Sequence, residues 1–313
     1  LCPCMRVLHL NSPAKVGWVL AQEPRRLGLE ATVVLTHSSH WHHYYDVDLS
    51  SYDTSTLSGK YGIGRELLGL VQSCDLLHYH GAPISRGYRD LLIWAVGLGK
   101  LVFLHHHGSE VREQQYPWLA SRLSRHRFVS TPDLLPWVPA AEWIPNPELL
   151  EQLPRTAPPA NERPLLVHAP TDREVKNTEA VLTAVAELRQ RGIDFDFRVV
   201  ENCTYHETIA ELQQADIVVD WVNPRFGIYG VLSIEAMALG RPVVCTLNPG
   251  LYEESELPVI SASPAVLAGV LQRLIASPES RKRIGVAGRL FVLKHHNPDQ
   301  VALRVLKAYR EWA

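Results

Sequence analysis

The stretch that most constrains this chain is Arg225 to Thr246, RFGIYGVLSIEAMALGRPVVCT. Gly227 and Gly230 open it, and an apolar run at helical spacing follows through Leu232, Ile234, Ala236, Met237 and Leu239. Gly240 is placed to end that helix in a left-handed conformation, Pro242 blocks continuation, and Val243 and Val244 begin a short buried strand. A glycine-rich loop that feeds a helix N-terminus presents free backbone N–H groups and the positive end of the helix dipole to an anion. The amides of Gly227, Ile228, Tyr229, Gly230 and Val231 are therefore candidates to hold a phosphate. Glu235, about one turn further on, can reach past it to a hydroxyl-bearing group. Without a ligand, the same residues would still make a tight loop between a buried helix and a buried strand.

A chain of 313 residues is long enough for two cored domains, since single cores seldom grow past about 250–300 residues. Its 46% hydrophobic and 20% charged content is that of a globular protein, and a net charge of −2 gives no electrostatic case for nucleic acid or a membrane surface. No apolar run approaches the roughly 20 residues that span a bilayer. The start, LCPCMRVLHL, lacks the basic end and apolar core of a signal peptide, and Met5 reads as a natural start. Five scattered cysteines do not make a disulfide framework, and Cys2 and Cys4 lack the second pair a zinc site needs. The expectation is a cytoplasmic protein with reduced thiols, no metal and no cofactor.

Along the chain, Arg6–Leu10 and Ala31–Leu35 read as strands around a helix over 16–27 that Pro24 interrupts, a βαβ unit. The intervening NSPAKVG lacks G-x-G-x-x-G, which disfavours a dinucleotide enzyme. His37 to Tyr45, HSSHWHHYY, is a loop that either packs on its own domain or stacks an acceptor sugar. A helix over 66–71, a strand over 75–80 ending in His80, a helix over 85–99 and a strand over 101–104 follow. The last runs into His105, His106, His107, Gly108, Ser109 and Glu110. Polar side chains at the carboxyl ends of parallel strands face the ligand crevice, which singles out His107 and Gly108, whereas His105 and His106 fit equally well as core residues. Residues 153–164, LPRTAPPANERP, have four prolines and no periodicity, the mark of a stiff linker. Beyond them strands over 164–168, 196–200 and 217–219 alternate with helices over 178–191 and 207–214. After the Gly-rich stretch, Ser263-Pro264 starts a helix, and two more cover about 278–294 and 298–312. Between the strand at 164–168 and the next helix, Arg173 and Lys176 offer a bidentate fork and a point charge, a plausible diphosphate clamp.

Glu235 to Val244, EAMALGRPVV, resembles the signature of retaining glycosyltransferases of family 4, whose Glu-x7-Glu pair flanks a Gly-rich loop. Eight residues before Glu235 stands Gly227 in place of the first glutamate. HGSEVR at 107–112 is similar to the family's H-G-x-D element, STP at 130–132 to its helix start, and IPN at 144–146 to its turn. Lys176 matches the lysine of its G-R-x4-K-G loop, while Thr171 stands at the arginine position, with Arg173 nearby. The resemblance implies an α/β GT-B fold, two Rossmann-like domains whose parallel sheets face across a cleft. The domains would be an acceptor-side domain over 1–152, a linker over 153–164, a nucleotide-sugar domain over 165–297, and a helix over 298–313 crossing back to the first. It implies metal-independent transfer from a nucleotide-diphosphate sugar to a carbohydrate, lipid or small-molecule acceptor, with retention. In these terms His107 is catalytic and lies near the donor sugar, with Gly108, Glu110 and His80 on the acceptor or sugar side. Glu235 binds the ribose, and Arg173, Lys176 and the Gly227–Val231 amides hold the diphosphate. Gly227 also suits a catalytically silent relative that binds a nucleotide sugar or glycan as a partner subunit, and a sugar-nucleotide epimerase or hydrolase is a third reading.

Overall fold

The computed structural model describes residues 5–37, 44–81, 86–108, 110–157, 161–252 and 257–312. Cys2, Cys4, the centre of the 37–45 loop and Ser85 lie outside the described residues. The chain divides into two compact units, Leu1–Pro147 with Pro298–Ala313, and Glu148–Asn297.

The first unit runs β1 (Arg6–Leu10), α1 (Val16–Arg26), β2 (Glu30–Leu35), β3 (Val47–Asp48), α2 (Leu57–Ser73), β4 (Leu76–His80), α3 (Arg86–Gly97), β5 (Leu101–His106), α4 (Trp118–Leu123), β6 (His126–Val129) and β7 (Glu142–Trp143). Its strands form one sheet in the order β3-β2-β1-β4-β5-β6-β7, parallel at every pairing. Alternate residues of each strand supply the two faces. Val7, Leu76, Phe103 and Phe128 pack on one side, and Leu8, Leu77, Val102 and Leu104 on the other. Pro24 does not break α1, which runs on to Arg26. The proline forfeits one helical hydrogen bond, to the carbonyl of Leu20, and because it stands in the helix's last turn only two residues follow it before the helix ends.

The second unit runs β8 (Leu165–His168), α5 (Arg173–Lys176), α6 (Thr178–Gln190), β9 (Asp196–Val199), α7 (Tyr205–Gln214), β10 (Ile217–Val219), α8 (Val231–Ala238), β11 (Val243–Cys245), β12 (Ile260–Ser261), α9 (Leu267–Ala276) and α10 (Pro278–His295). Its parallel sheet has the order β12-β11-β10-β8-β9. Residues 153–157 pack onto this unit: Leu153 is fully buried in its core, and the buried Arg241 donates to Ala157 O at 3.1 Å. The proline-rich run therefore starts as part of the second unit, and the division falls before it. The last helix, α11 (Pro298–Trp312), belongs to the first unit. Its Val301, Ala302, Val305, Leu306 and Tyr309 join the core built on Val7, Leu76 and Phe103.

In both sheets strand order reverses next to the first strand, between β1 and β4 and between β8 and β10. Ligands of open parallel sheets bind outside the carboxyl ends of the strands at such a reversal. Of the site residues read from the sequence, His80 ends β4 and Arg173 and Lys176 follow β8, while His107, Gly108 and Glu110 follow β5, and Gly227 to Val231 lead into α8, which carries Glu235.

Candidate functional site

In the second unit the loop after β8 folds into the single turn α5, held at its start by Asp172, whose side chain accepts from Val175 N at 2.9 Å. Asn177, at φ 57°, ends the turn in the left-handed region that asparagine tolerates. That turn sends Lys176 inward and leaves Arg173 outside. Lys176 is 5% exposed. Its Nζ donates to Oδ1 of Asp220, just past the end of β10, and lies 4.6 Å from the centre of the Trp221 ring. The other oxygen of Asp220 accepts from Ser233 Oγ on α8. His168, at the end of β8, donates from Nδ1 to Val219 O at 2.8 Å, so its Nε2 accepts from Thr178 Oγ1 at 3.0 Å. Burial holds that imidazole below its ordinary pKa. Arg173 is half exposed and makes a two-pronged pair with Glu201, both bonds 2.8 Å.

The Gly-rich loop closes on the same cluster. Gly230 caps α8 with no side-chain cap bond, so the first amides of the helix lack an intrahelical partner. A Cβ at Gly230 would come within 2.4 Å of the Trp221 indole nitrogen, so only glycine lets the loop lie on that ring. Gly227 has φ 62° and its carbonyl accepts from Asn248 N at 2.9 Å. A Cβ there would stand 2.4 Å from Asn248 Cβ. The residue where the family pattern has glutamate is thus one where this backbone admits no side chain. Ile228 and Tyr229 are buried, with Tyr229 Oη 3.2 Å from His296 Nε2, so these two offer the loop's outer side their backbone alone. Glu235 is 6% exposed on α8. Lys176, Asp220, Trp221, Gly230 and Ser233 thus come together in one cluster, while Arg173 is engaged elsewhere.

In the first unit His80 ends β4 and His107 follows β5, with His80 Nδ1 3.1 Å from His107 Nε2. The Glu110 carboxylate accepts from the His107 amide and fixes the turn through Gly108. Arg112 of the same loop pairs with Asp133 at 2.7 Å, tying HGSEVR to the STPD segment. Burial pushes His107 down to about 3, so the imidazole is neutral near pH 7. The β1 loop, read from sequence only as lacking a dinucleotide fingerprint, holds Asn11, Ala14 and Lys15 at φ 67°, 49° and 66°. Positive φ at three non-glycine residues is uncommon and stores backbone strain. Asp220 and Ser233 were missed as partners of Lys176 because their convergence depends on the parallel pairing of β8 with β10 and on where α8 starts.

Residues 148–307 match a family described as glycosyl transferase-like. No curated protein sequence matches the chain. Among solved structures, sucrose-phosphate synthase from Thermosynechococcus elongatus is similar at a TM-score of 0.67 and 15% identity, over 98% of this chain and 99% of that one. An alpha-glucosyltransferase solved with UDP and a 13-mer DNA gives 0.69 and 11%, over 97% and 98%. The UDP-GlcNAc 2-epimerase of Neisseria meningitidis, bound to UDP-GlcNAc, gives 0.58 and 14%, over 98% and 100%. At these identities the likeness establishes the fold, GT-B.

Proposed function

The chain belongs to the glycosyl transferase-like family, and on that premise we propose that it is a nucleotide-sugar-dependent glycosyltransferase of the family 4 type. It moves a sugar, with retention, from a nucleotide-diphosphate sugar to a carbohydrate, lipid or small-molecule acceptor. The observation that carries this reading is the uncapped start of α8 behind Gly227 and Gly230, with Glu235 on the same helix. Amides and helix dipole there would bind the diphosphate and stabilise it as the leaving group. Glu235 would accept hydrogen bonds from the ribose hydroxyls. Lys176, paired with Asp220, would offer an ammonium N–H as a donor, and Arg173 would join it on leaving Glu201. Protein groups would then do this work without a metal at the diphosphate. His107, Gly108, Glu110 and His80 would serve the sugar and acceptor. Free thiols at Cys74, Cys203 and Cys245 suit a reducing, cytoplasmic setting.

A panel of nucleotide sugars, with and without candidate acceptors, tests the reading. Nucleotide release that requires an acceptor is the expected result, whereas release or isomerisation without one would favour an epimerase or hydrolase. Glu235→Ala should weaken donor binding about tenfold or more by calorimetry, because each charge-assisted bond is worth roughly 1.5–3 kcal/mol. Unchanged affinity would remove Glu235 from the site. A second reading, binding without turnover as a partner subunit, is favoured by Gly227, whose crowding against Asn248 leaves no room for the missing glutamate.

A further inference from the structure

The carboxyl ends of β1, β4 and β5 carry a stack of histidines larger than the two, His80 and His107, that the transfer reading uses. Side chains alternate along a strand, and residues paired across parallel strands share a face. His9 pairs with His78 and His80 with His105. His78 and His80 are two apart on β4, as are His105 and His107 at the end of β5. All five imidazoles therefore gather on one side of the sheet, with ring centres 4.4 Å apart for His78 and His80 and again for His105 and His107. His106, between them, points to the other side and meets Tyr116 at 2.8 Å.

Within the stack, the ring nitrogens of His80, His105 and His107 lie within 4.8 Å of one another. Neither nitrogen of the fully buried His105 has a hydrogen-bond partner among the described residues. A buried polar group left unpaired is destabilising, and a metal ion would satisfy the lone pair on one of these two nitrogens. His9, His78 and His80 make a second such group, tied to the first by the 3.1 Å contact of His9 Nδ1 with His80 Nε2, but all three are sealed from solvent. His107 is only half-buried, beside Gly108, and gives the first group a mouth.

We propose that His80, His105 and His107 form a binding site for a divalent transition metal of the zinc class. Three nitrogen donors suit zinc, cobalt, nickel or copper and disfavour magnesium and calcium, which take oxygen ligands. His80 Nδ1 and His107 Nε2, 3.1 Å apart, already stand near the edge of about 3.3 Å that zinc–nitrogen bonds of 2.0–2.1 Å impose on a tetrahedron, and a His105 nitrogen, within 4.8 Å, would close on it. Metal there would take the lone pairs of His80 and His107, so on the transferase reading it inhibits transfer. The site itself does not rest on that reading.

The test uses untagged full-length protein stripped with a chelator and titrated with cobalt and then zinc, followed by visible absorption and equilibrium dialysis. One equivalent should bind, cobalt should show the intense visible bands of a low-coordinate nitrogen site, and zinc should displace it. His105→Gln and His107→Gln should each weaken binding by about 100-fold or more, since even outer-shell changes cost 10–100-fold. Replacing His40, His42 and His43 together should leave it unchanged. The proposal is overturned if no stoichiometric metal binds, if His107→Gln binds as tightly as wild type, or if loss of binding follows the 40–43 replacements instead. Should His105→Gln fail to fold, the half-buried His107→Gln decides alone. Binding is read without any turnover, so failure of the metal site and failure of the transferase reading are separately visible.

Discussion

Lys176 shows how a residue's identity and its setting can pull apart. A lysine after a β-strand reads as a free cation awaiting phosphate, yet here its ammonium is buried on Asp220, which also accepts from Ser233. Removing one partner of such a pair strands the other charge in a medium that solvates it poorly. Lys176→Met should cost about 3–5 kcal/mol, and the double change with Asp220→Asn should recover much of that, measured by urea unfolding. Donor affinity measured on the double variant then reports the lysine's part in binding apart from its part in folding. His168 gives the pH counterpart. Its folded pKa is lowered, chiefly by desolvation, so as pH falls the unfolded chain takes up the proton first. The stabilising difference is full above the unfolded value of about 6.5 and is lost as pH drops below it toward the folded pKa. Relative to wild type, His168→Asn should show a shallower fall of melting temperature between pH 7 and pH 5.

Among the elements, the packing of α8 against α10 depends on one close approach. A Cβ at Gly285 would lie 2.1 Å from the carbonyl oxygen of Gly240, the residue at φ 79° just beyond α8. Gly285→Ala must therefore push α10 away from the end of α8. The cost should be about 1–3 kcal/mol by denaturant titration, although alanine is the better helix former. The same conflict between propensity and packing explains α2. Its LSGKYGIGRELLGLVQS carries four glycines, so the sequence pattern supports a helix only over 66–71, but the helix runs Leu57–Ser73. Thr56 caps it by accepting from Gly59 N, and the small residue at Gly62 admits the Tyr52 ring. Elements with a strong apolar period, such as α6 and α11, were legible to within a residue or two because periodicity and burial agree.

For the whole molecule, the return of α11 to the first unit matters more than its length suggests. It lays Val301, Val305, Leu306 and Tyr309 on the sheet core, each worth roughly 1.5–3 kcal/mol of burial. Ending the chain at Asn297 should leave residues 148–297 folded and the first unit open, seen as loss of amide-exchange protection confined to β1, β4 and β5. Protection retained in those strands would show that α11 is dispensable. The amino-acid order alone determined the alternation of strands and helices, the glycine-flanked helix start and the histidines at strand ends, because these follow from local periodicity and backbone chemistry. Which charges are already spent was decided by tertiary structure: Lys176 on Asp220 and Arg173 on Glu201 are partners 44 and 28 residues apart in sequence. So was the meeting of His80, His105 and His107, because only the register of parallel strands sets which distant side chains share a face.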